Sequence, residues 1–218
     1  KPFLRAYDLI KQEDIFDSVK ELPFVIVGSG LAAIEVSYAL RKRWKYRYLK
    51  LFCDSKKINN KILKSLRNSN IELVDNLDSD YGKILLCTGN KSPLWVQKKL
   101  LNSDSKGRLF TNQNLQLKSF HGIFAAGDCA VVDSAKRPAS GVFAIKVVRT
   151  LVHNLKKDVE GKSLKKWIPQ KFGLQIVNVF PRNYPKAFAI YRNFVFGPSF
   201  LIWFLKKKID LNFIQKFR

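Results

Sequence analysis

The stretch PFVIVGSGLAAIE, residues 23–35, decides the fold, because an apolar strand in it runs into a glycine-rich turn. Pro23 opens the predicted strand, and LAAIEVSYALRKRW continues with apolar side chains at helical spacing. RYLKLFCD, residues 47–54, then predicts a second strand. A strand, a glycine turn, a helix and a strand within about 30 residues form a βαβ unit. We therefore predict an α/β protein with a parallel sheet.

The glycine turn has the form Gly28-x-Gly30-x-x-Ala33, which is typical of a dinucleotide-binding loop when it joins a strand to a helix. Gly28 permits the tight turn, Gly30 lets a pyrophosphate approach the backbone, and Ala33 keeps the helix close to the strand. Ser29 lies between the two glycines. Free N–H groups and the positive end of the helix dipole would hold the phosphates. The alternative is an α/β turn that binds no ligand.

Two acidic residues near the loop have candidate roles. Asp54 stands at the predicted end of the second strand, where its carboxylate could accept a hydrogen bond from a ribose 2′-hydroxyl and favour NADH. Lys56 and Lys57 follow closely, so NADPH stays open. Glu35 is unusual in an apolar helix start. It either interacts with the helix dipole or a helix cap, or points towards the face where hydride transfer takes place.

A second strand that ends on glycine lies in GIFAAGDCA, residues 122–130, and a long helix is predicted over 140–157. Ser140 is the predicted N-cap of that helix. The remaining periodic segments predict helices at 7–21, 57–68 and 199–216, the last of them amphipathic, and strands at 71–74, 83–89, 109–110, 115–117, 123–124, 172–180 and 186–196.

Charge is unevenly distributed along the chain, whose net charge is +23. Residues 1–135 contain 22 Lys and Arg against 14 Asp and Glu, whereas residues 136–218 contain 18 against 3. A basic C-terminal third favours attraction to anionic surfaces such as lipid headgroups or nucleic acid. The alternative is that solvated lysines, expected from an AT-rich coding sequence, cover the surface.

The three cysteines, Cys53, Cys87 and Cys129, form no closely spaced pair, and His121 and His153 are the two histidines. This composition argues against a disulfide framework and against a zinc site, so we predict no metal centre. It favours a reducing compartment, and the expected location is the cytoplasm.

No signal peptide is visible in the sequence. FLIWFL, residues 200–205, is the longest apolar run near the C-terminus and is too short to span a bilayer. The chain begins with Lys1 and contains no Met, so we expect it to be part of a longer polypeptide.

Four stretches, VIVGSGLAAIE, ILLCTGN, GIFAAGDCA and GVFAI, occur in an order that resembles the pyridine-nucleotide flavoprotein family, also known as pyridine nucleotide-disulfide oxidoreductases. Within it the chain looks most like the type-two NADH dehydrogenase-like flavoproteins. AGDCA and the ending LKKKIDLNFIQKF are similar to the form fused to selenophosphate synthase (selenide, water dikinase). The resemblance covers almost the whole chain.

The resemblance implies a Rossmann-type NAD-binding domain inserted in a truncated FAD-binding domain, plus a C-terminal α+β segment. The implied parts are a linking helix at 1–21, an NAD(P)H-binding domain at 22–109, a second FAD-binding segment at 110–160 and a basic segment at 161–218. A first flavin glycine loop would precede Lys1, so we expect this chain alone to bind flavin weakly.

The resemblance also implies site residues. Glu35 would be the catalytic acid near the point where nicotinamide meets flavin. The implied cofactor-binding residues are Gly28, Ser29, Gly30, Ala33 and Asp54 for the dinucleotide, Thr88 and Gly89 at the crossing between domains, and Gly127, Asp128, Gly141, Val142 and Phe143 for FAD. The reaction would be hydride transfer from NADH or NADPH to flavin and on to an unknown acceptor, with a link to selenium metabolism and a fused selenophosphate synthase domain as a partner.

Departures from the family and other functions stay open. IKVVRT, residues 145–150, replaces a VRQGP-like stretch, which puts contacts to the flavin edge in doubt, and no cysteine pair supports disulfide reduction. The chain could instead be an inactive nucleotide-binding or regulatory module. It could also be a basic peripheral membrane protein, with Trp203, Phe204 and Phe213 in the bilayer. We expect no nucleic-acid partner, and the electron acceptor and oligomeric state are open.

Overall fold

The computed structural model divides the chain into two compact units, one of residues 1–89 with 174–218 and one of residues 90–173. The described residues are 2–16, 22–76, 81–89, 91, 101–118, 120–180 and 184–215. The helices are α1 (Pro2–Gln12), α2 (Leu31–Arg43), α3 (Asn60–Asn68), α4 (Gly141–Val159) and α5 (Phe200–Gln215). The strands are β1 (Phe24–Val27), β2 (Leu49–Phe52), β3 (Ile71–Val74), β4 (Lys83–Leu86), β5 (Leu109–Thr111), β6 (Gln116–Leu117), β7 (Phe120–Phe124), β8 (Ala130–Val132), β9 (Gln175–Val179), β10 (Lys186–Tyr191) and β11 (Phe194–Ser199). The domain boundaries expected from the sequence stay predictions.

A four-stranded parallel sheet forms the centre of the first unit, with the strand order β3-β2-β1-β4. Phe24 of β1 lies opposite Leu49 of β2 on one side and Lys83 of β4 on the other. β1 is an uninterrupted apolar run, as expected for a parallel strand that is covered on both faces. The predicted α/β fold with a parallel sheet is confirmed.

A three-stranded antiparallel sheet, in the order β11-β10-β9, belongs to the same unit. It packs against α2, and Val177, Val179 and Phe188 enter the same buried cluster as Phe24 and Tyr38. The C-terminal segment therefore completes the core of the first unit, although more than a hundred residues separate it from α2 in sequence.

Helix α5 confirms the position of the terminal helix but not its amphipathic character. The run FLIWFL places apolar side chains all around the helix, because six consecutive residues cover more than one full turn. Ile202 and Trp203 are half-buried, whereas eight other large apolar side chains of this helix are 38–75% exposed. In the described part of the chain, no helix combines the length and apolar composition needed to cross a membrane.

The N-terminal helix differs from the prediction of a single helix over 7–21. Helix α1 ends at Gln12, a 3₁₀ turn follows over Glu13–Phe16, and residues 17–21 lie outside the described residues. Long-range ion pairs hold this turn, and hydrophobic periodicity does not register them. Glu13 accepts a hydrogen bond of 2.8 Å from the buried Arg47, and Asp14 accepts bonds from the Arg43 guanidinium.

The second unit contains a small mixed sheet in the order β7-β6-β5-β8, together with helix α4. β5 pairs in parallel with β8 and antiparallel with β6. The strands predicted between 109 and 124 are present, and β8, which begins at the last residue of GIFAAGDCA, was missed. Ser140 is the N-cap residue of α4, as predicted, but its side chain makes no capping hydrogen bond.

Candidate functional site

The turn between β1 and α2 requires glycine at its first position. Gly28 has φ +148°, and its N–H donates to the Phe52 carbonyl at 3.0 Å. A Cβ at this position would lie 2.4 Å from the Cys87 carbonyl oxygen and 3.2 Å from the Ala33 Cβ. Ala33 is itself fully buried. Gly28 and Ala33 thus have the roles that the motif predicts, namely a tight turn and close packing of the helix on the strand.

Gly30 differs from Gly28 because nothing in the described structure opposes a side chain there. It is the N-cap of α2 in an extended conformation, with φ −85°, and no side chain caps the helix. A Cβ built on Gly30 would meet no atom within 4 Å. This leaves open space in front of the first N–H groups of a 13-residue helix, where the helix dipole favours an anion.

Ser29 links the turn to the end of β2. Its hydroxyl accepts a hydrogen bond of 2.8 Å from the N–H of Asp54. The Asp54 carboxylate accepts from the Lys56 N–H at 3.1 Å and pairs with the Lys57 ammonium at 3.0 Å. The hydrogen bond from Lys57 is the main cause that lowers the pKa of Asp54. Asp54 is therefore near the loop, as predicted, and its two oxygens already accept donors from the chain.

A groove with a volume of about 800 Å³, open to solvent, lies beside the loop in the first unit. Its wall combines the start of α2, the segment from Lys56 to Ile62, and the antiparallel sheet. The lining residues are Ser29, Leu31, Ile34, Lys56, Lys57, Ile58, Asn59, Ile62, Gln175, Ile190, Arg192, Asn193 and Val195. The mixture of an apolar floor with polar and basic side chains is typical of a ligand-binding cleft.

Glu35 is held by the C-terminal segment. Its Oε1 accepts a hydrogen bond of 2.9 Å from the N–H of Asn178 and one of 3.0 Å from the Lys206 ammonium. The side chain is 36% exposed. These contacts join α2 to β9 and α5, and the catalytic role of Glu35 stays a prediction.

Thr88 and Gly89 follow β4, which neighbours β1 in the sheet. The carboxyl ends of parallel strands meet at one edge of a sheet, so the two residues lie at the same edge as the Gly28 turn. Both residues are exposed, and Gly89 has φ +100°. Their role at a domain crossing stays a prediction.

The second unit contains the glycine turn of GIFAAGDCA. Gly127 has φ +76° and begins a 3₁₀ turn that includes the exposed Asp128. Gly141 opens α4, and Val142 and Phe143 lie in its first turn. A Cβ on Gly141 would meet no atom within 4 Å. The structure therefore places all five residues expected to bind flavin in this unit, at a turn and at a helix start.

Gly127 and Phe143 line one pocket in the second unit, which is partly open to solvent. Arg108 and Trp167 also line it, as does Thr111. Thr111 is fully buried, and its hydroxyl oxygen has no hydrogen-bond partner among the described residues. A buried polar atom without a partner is costly, so the pocket favours a ligand or water that would satisfy it.

Sequence reasoning missed several residues that line these two sites. Gln175, Arg192 and Asn193 reach the groove from the antiparallel sheet, and Arg108 and Thr111 reach the pocket from β5 and the turn before it. None of them belongs to a motif, and pairing between distant segments brings them to the sites. A one-dimensional pattern contains no signal for this arrangement.

Comparison with known proteins identifies the fold. No protein-family model matches the chain, and no curated protein matches it. The FAD-dependent pyridine nucleotide-disulphide oxidoreductase from Desulfovibrio vulgaris is similar with a TM-score of 0.55 and 17% identity, over 84% of this chain and 52% of that one. Reduced CoADR-RHD from Bacillus anthracis has a TM-score of 0.60 and 17% identity, over 85% of this chain and 37% of that one. The NAD-dependent persulfide reductase from A. fulgidus has a TM-score of 0.56 and 15% identity, over 82% of this chain and 38% of that one.

The chain spans between 37% and 52% of the length of these solved relatives. At this level of identity the likeness shows a shared fold. It confirms the predicted α/β fold class, which this chain shares with these solved structures.

Proposed function

We propose that the chain is the dinucleotide-binding part, with one portion of the flavin site, of an FAD-dependent NAD(P)H oxidoreductase. The observation that carries the proposal is Gly30, which opens α2 with free space where a side chain would stand. Only a backbone without a Cβ lets a diphosphate reach the first N–H groups of the helix. Gly28, Ser29 and Ala33 would support the same loop, and Asp54 would lie beside the adenosine ribose.

The flavin portion of the proposal rests on the second unit. Gly127 and Asp128 would hold the ribityl and pyrophosphate region, and Gly141, Val142 and Phe143 would present the start of α4 to the isoalloxazine. The partnerless hydroxyl of Thr111 and the open space at Gly141 are compatible with a bound polar group. The chemistry supplied by bound FAD is uptake of a hydride from NADH or NADPH, followed by electron transfer to an unidentified acceptor.

Glu35 is the proposed catalytic acid, and its contacts to Asn178 and Lys206 would fix its orientation. Hydride transfer needs accurate positioning, so loss of its charge should slow NADH oxidation more than it weakens NADH binding. The comparison of Glu35→Gln with the parent chain, each with excess FAD added, in the rate of NADH oxidation and in the dissociation constant for NADH, tests this role. A rate equal to that of the parent would remove Glu35 from the mechanism.

The proposed domain boundaries are a linking helix at 1–21, NAD(P)H binding at 22–109, flavin binding at 110–160 and a basic segment at 161–218, with Thr88 and Gly89 at the crossing. NADH dehydrogenase-like chemistry, the link to selenium metabolism and a fused selenophosphate synthase partner rest on the sequence resemblance alone.

The experiment that tests dinucleotide binding is a fluorescence titration of NADH and NADPH into the 218-residue chain and two variants. Gly30→Ala adds a methyl group where the chain leaves room, so the fold should persist while affinity falls about tenfold, equivalent to about 1.4 kcal/mol. Gly141→Ala is the matched control, because it adds the same group at an equally open helix start in the other unit. Equal affinities in all three proteins, or no binding by the parent, would reject the proposal.

A second candidate function is attachment to anionic membrane surfaces, which the outer surface of α5 favours. Leu201 is 75% and Phe204 53% exposed on this helix, and Lys207 and Lys208 follow them. Because α5 has apolar side chains all around, its attraction to a bilayer would come from exposed apolar area together with the adjoining lysines, without a separate polar face. Residues 136–218 also carry most of the excess positive charge of the chain.

Vesicle sedimentation tests this second function, with phosphatidylcholine alone and with added phosphatidylserine. We expect binding only to the anionic vesicles, weakening as salt is raised. Leu201→Asp should abolish it. Val159→Asp serves as the control, because Val159 is an apolar side chain that is 90% exposed in the second unit. Binding that is equal in both variants and the parent would contradict a role for α5.

A further inference from the structure

The groove beside the Gly28 turn is lined by positively charged side chains, although the acidic Asp54 is close to it in sequence. Among the described residues, those that line it include three cations, Lys56, Lys57 and Arg192, and no carboxylate, although Lys57 is paired with Asp54 beside the groove. Its floor is apolar and is formed by Leu31, Ile34, Ile58, Ile62, Ile190 and Val195. An apolar floor with a cationic rim suits a flat heterocycle that carries an anionic substituent.

Arg192 reaches the groove from the antiparallel sheet, and the packing of that sheet determines its position. It lies in the two-residue turn between β10 and β11, with φ +54°. The turn is close to α3, because the Lys61 ammonium donates to the Val195 carbonyl at 3.3 Å. Val195 and Phe188, on either side of the turn, belong to the main buried cluster. The packed hairpin therefore holds the backbone of Arg192, and the guanidinium carbon lies 5.6 Å from the centre of the Tyr191 ring.

Asp54 does not oppose an anion in this groove. One of its oxygens accepts from the Lys56 N–H and the other pairs with the Lys57 ammonium, so the acid stabilises its own turn and its charge is balanced locally. A carboxylate that is paired with a cation repels a nearby 2′-phosphate less than an unpaired carboxylate does. Here the nearest compensating charge is 3.0 Å away.

We propose that this groove binds the adenosine end of a dinucleotide that carries a 2′-phosphate, with Lys56 and Arg192 as the phosphate ligands and the isoleucines in contact with adenine. The inference rests on the proposed dinucleotide-binding function and makes NADPH the preferred reductant. Arg192 is thereby a specificity residue contributed by the C-terminal segment. The start of α3, whose N-cap is Asn59, adds the favourable end of a second helix dipole to the same groove.

The test is calorimetric titration of the 218-residue chain with 2′,5′-ADP and with 5′-AMP, which differ in the 2′-phosphate. We expect 2′,5′-ADP to bind about tenfold more tightly, the gain typical of one charge-assisted contact. Equal affinity, or tighter binding of 5′-AMP, would overturn the inference and leave dinucleotide binding intact if NADH still binds. Failure of both nucleotides, NADH and NADPH to bind would instead overturn the proposed function.

A variant pair tests the residue assignment. Arg192→Gln should lower the affinity for 2′,5′-ADP about tenfold and leave that for 5′-AMP within about twofold. Lys64→Gln removes the same charge from an exposed position on α3 outside the groove, and it should change neither affinity by more than about twofold. Circular dichroism checks that both variants are folded. Equal losses for the two ligands in Arg192→Gln would overturn the role of Arg192 as a phosphate ligand.

Discussion

The two units contain similar glycine turns that differ in how closely other residues pack around them. Gly28 and Gly127 both follow a strand and both have positive φ, yet a Cβ on Gly28 would lie 2.4 Å from a carbonyl oxygen, whereas a Cβ on Gly127 would lie 3.8 Å from the Ala144 Cβ. Among the described residues, the first unit buries a continuous cluster of nineteen apolar side chains, and the second has two clusters of three. The surroundings of the first turn thus exclude a side chain, whereas at the second turn only the backbone conformation disfavours one.

The apolar surface of α4 is the counterpart of the small core in the second unit. Five of its apolar residues are spaced three or four positions apart and form one exposed stripe on the helix. They are Ile145, Val148, Val152, Leu155 and Val159. Less buried apolar area means less stabilisation, so the second unit should open at a lower free energy than the first. Amide hydrogen exchange should be faster in α4 than in α2.

Alanine at the two turns should give the largest contrast. Gly28→Ala should destabilise the first unit by about 4 kcal/mol, because strain at positive φ adds to a clash with backbone that cannot move aside. Gly127→Ala should cost about 1–2 kcal/mol, since only the backbone conformation is unfavourable. Urea unfolding followed by circular dichroism measures both changes. Similar costs would mean that the surroundings of Gly28 are softer than its contacts indicate.

Ion pairs offer a second contrast of the same kind. Glu13 and Arg47 are 4% and 2% exposed, so Glu13→Gln should cost about 3 kcal/mol by removing a charged partner of a buried guanidinium. Asp104 and Arg108 in the second unit are 18% and 15% exposed, and Asp104→Asn should cost about 1–2 kcal/mol. The two free energies come from the same unfolding titrations. A larger loss in Asp104→Asn would reverse the order of burial assigned to the two pairs.

Truncation of leucines should separate the large core from the exposed stripe. Leu66 is fully buried in the first unit, and Leu66→Ala should cost about 2–3 kcal/mol through lost transfer free energy and the cavity that remains. Leu155 is 44% exposed on α4, and Leu155→Ala should change stability by less than about 0.5 kcal/mol. Thermal unfolding of the two variants provides the comparison. A substantial loss in Leu155→Ala would show that the stripe is buried in solution.

Most of the fold was predictable where the physical cause is local. The strand, turn and helix around Gly28 follow from apolar runs and glycine spacing, and Ala33 was predicted to pack where it does. The 3₁₀ turn at Glu13 was not predictable, because its partners lie some thirty residues along the chain. The all-round apolar character of α5 was visible in its six-residue apolar run, and its assignment as amphipathic was wrong.

The candidate site was predictable in part for the same reason. The spacing of Gly28, Ser29 and Gly30 predicts a phosphate-binding loop, because such a loop uses the backbone of a short continuous segment. Arg192 and Thr111 carry no such signal, because antiparallel pairing and sheet packing bring them to the groove and the pocket. The hydrogen bond and the ion pair of Asp54 were not predicted, although both partners, Lys56 and Lys57, are close to it in the sequence.

The smallest expected effect is a dependence of stability on pH. It tests the exposed pair Asp14–Arg43, which lies next to the buried pair Glu13–Arg47 in the 3₁₀ turn. Hydrogen bonds from Arg43, assisted by Trp44 and nearby cations, lower the pKa of Asp14 from 3.8 to about 2. A lowered pKa stabilises the folded state at pH above 3.8, and this contribution is lost as the pH falls towards 2. Because the side chains of Arg43 and Asp14 are 41% and 37% exposed, solvent screening limits it to about 1 kcal/mol or less. The difference in unfolding free energy between the parent and Asp14→Asn should therefore be constant near neutral pH and vanish in acid. A difference that persists at low pH would assign the effect to the Trp44 contact instead of the charge.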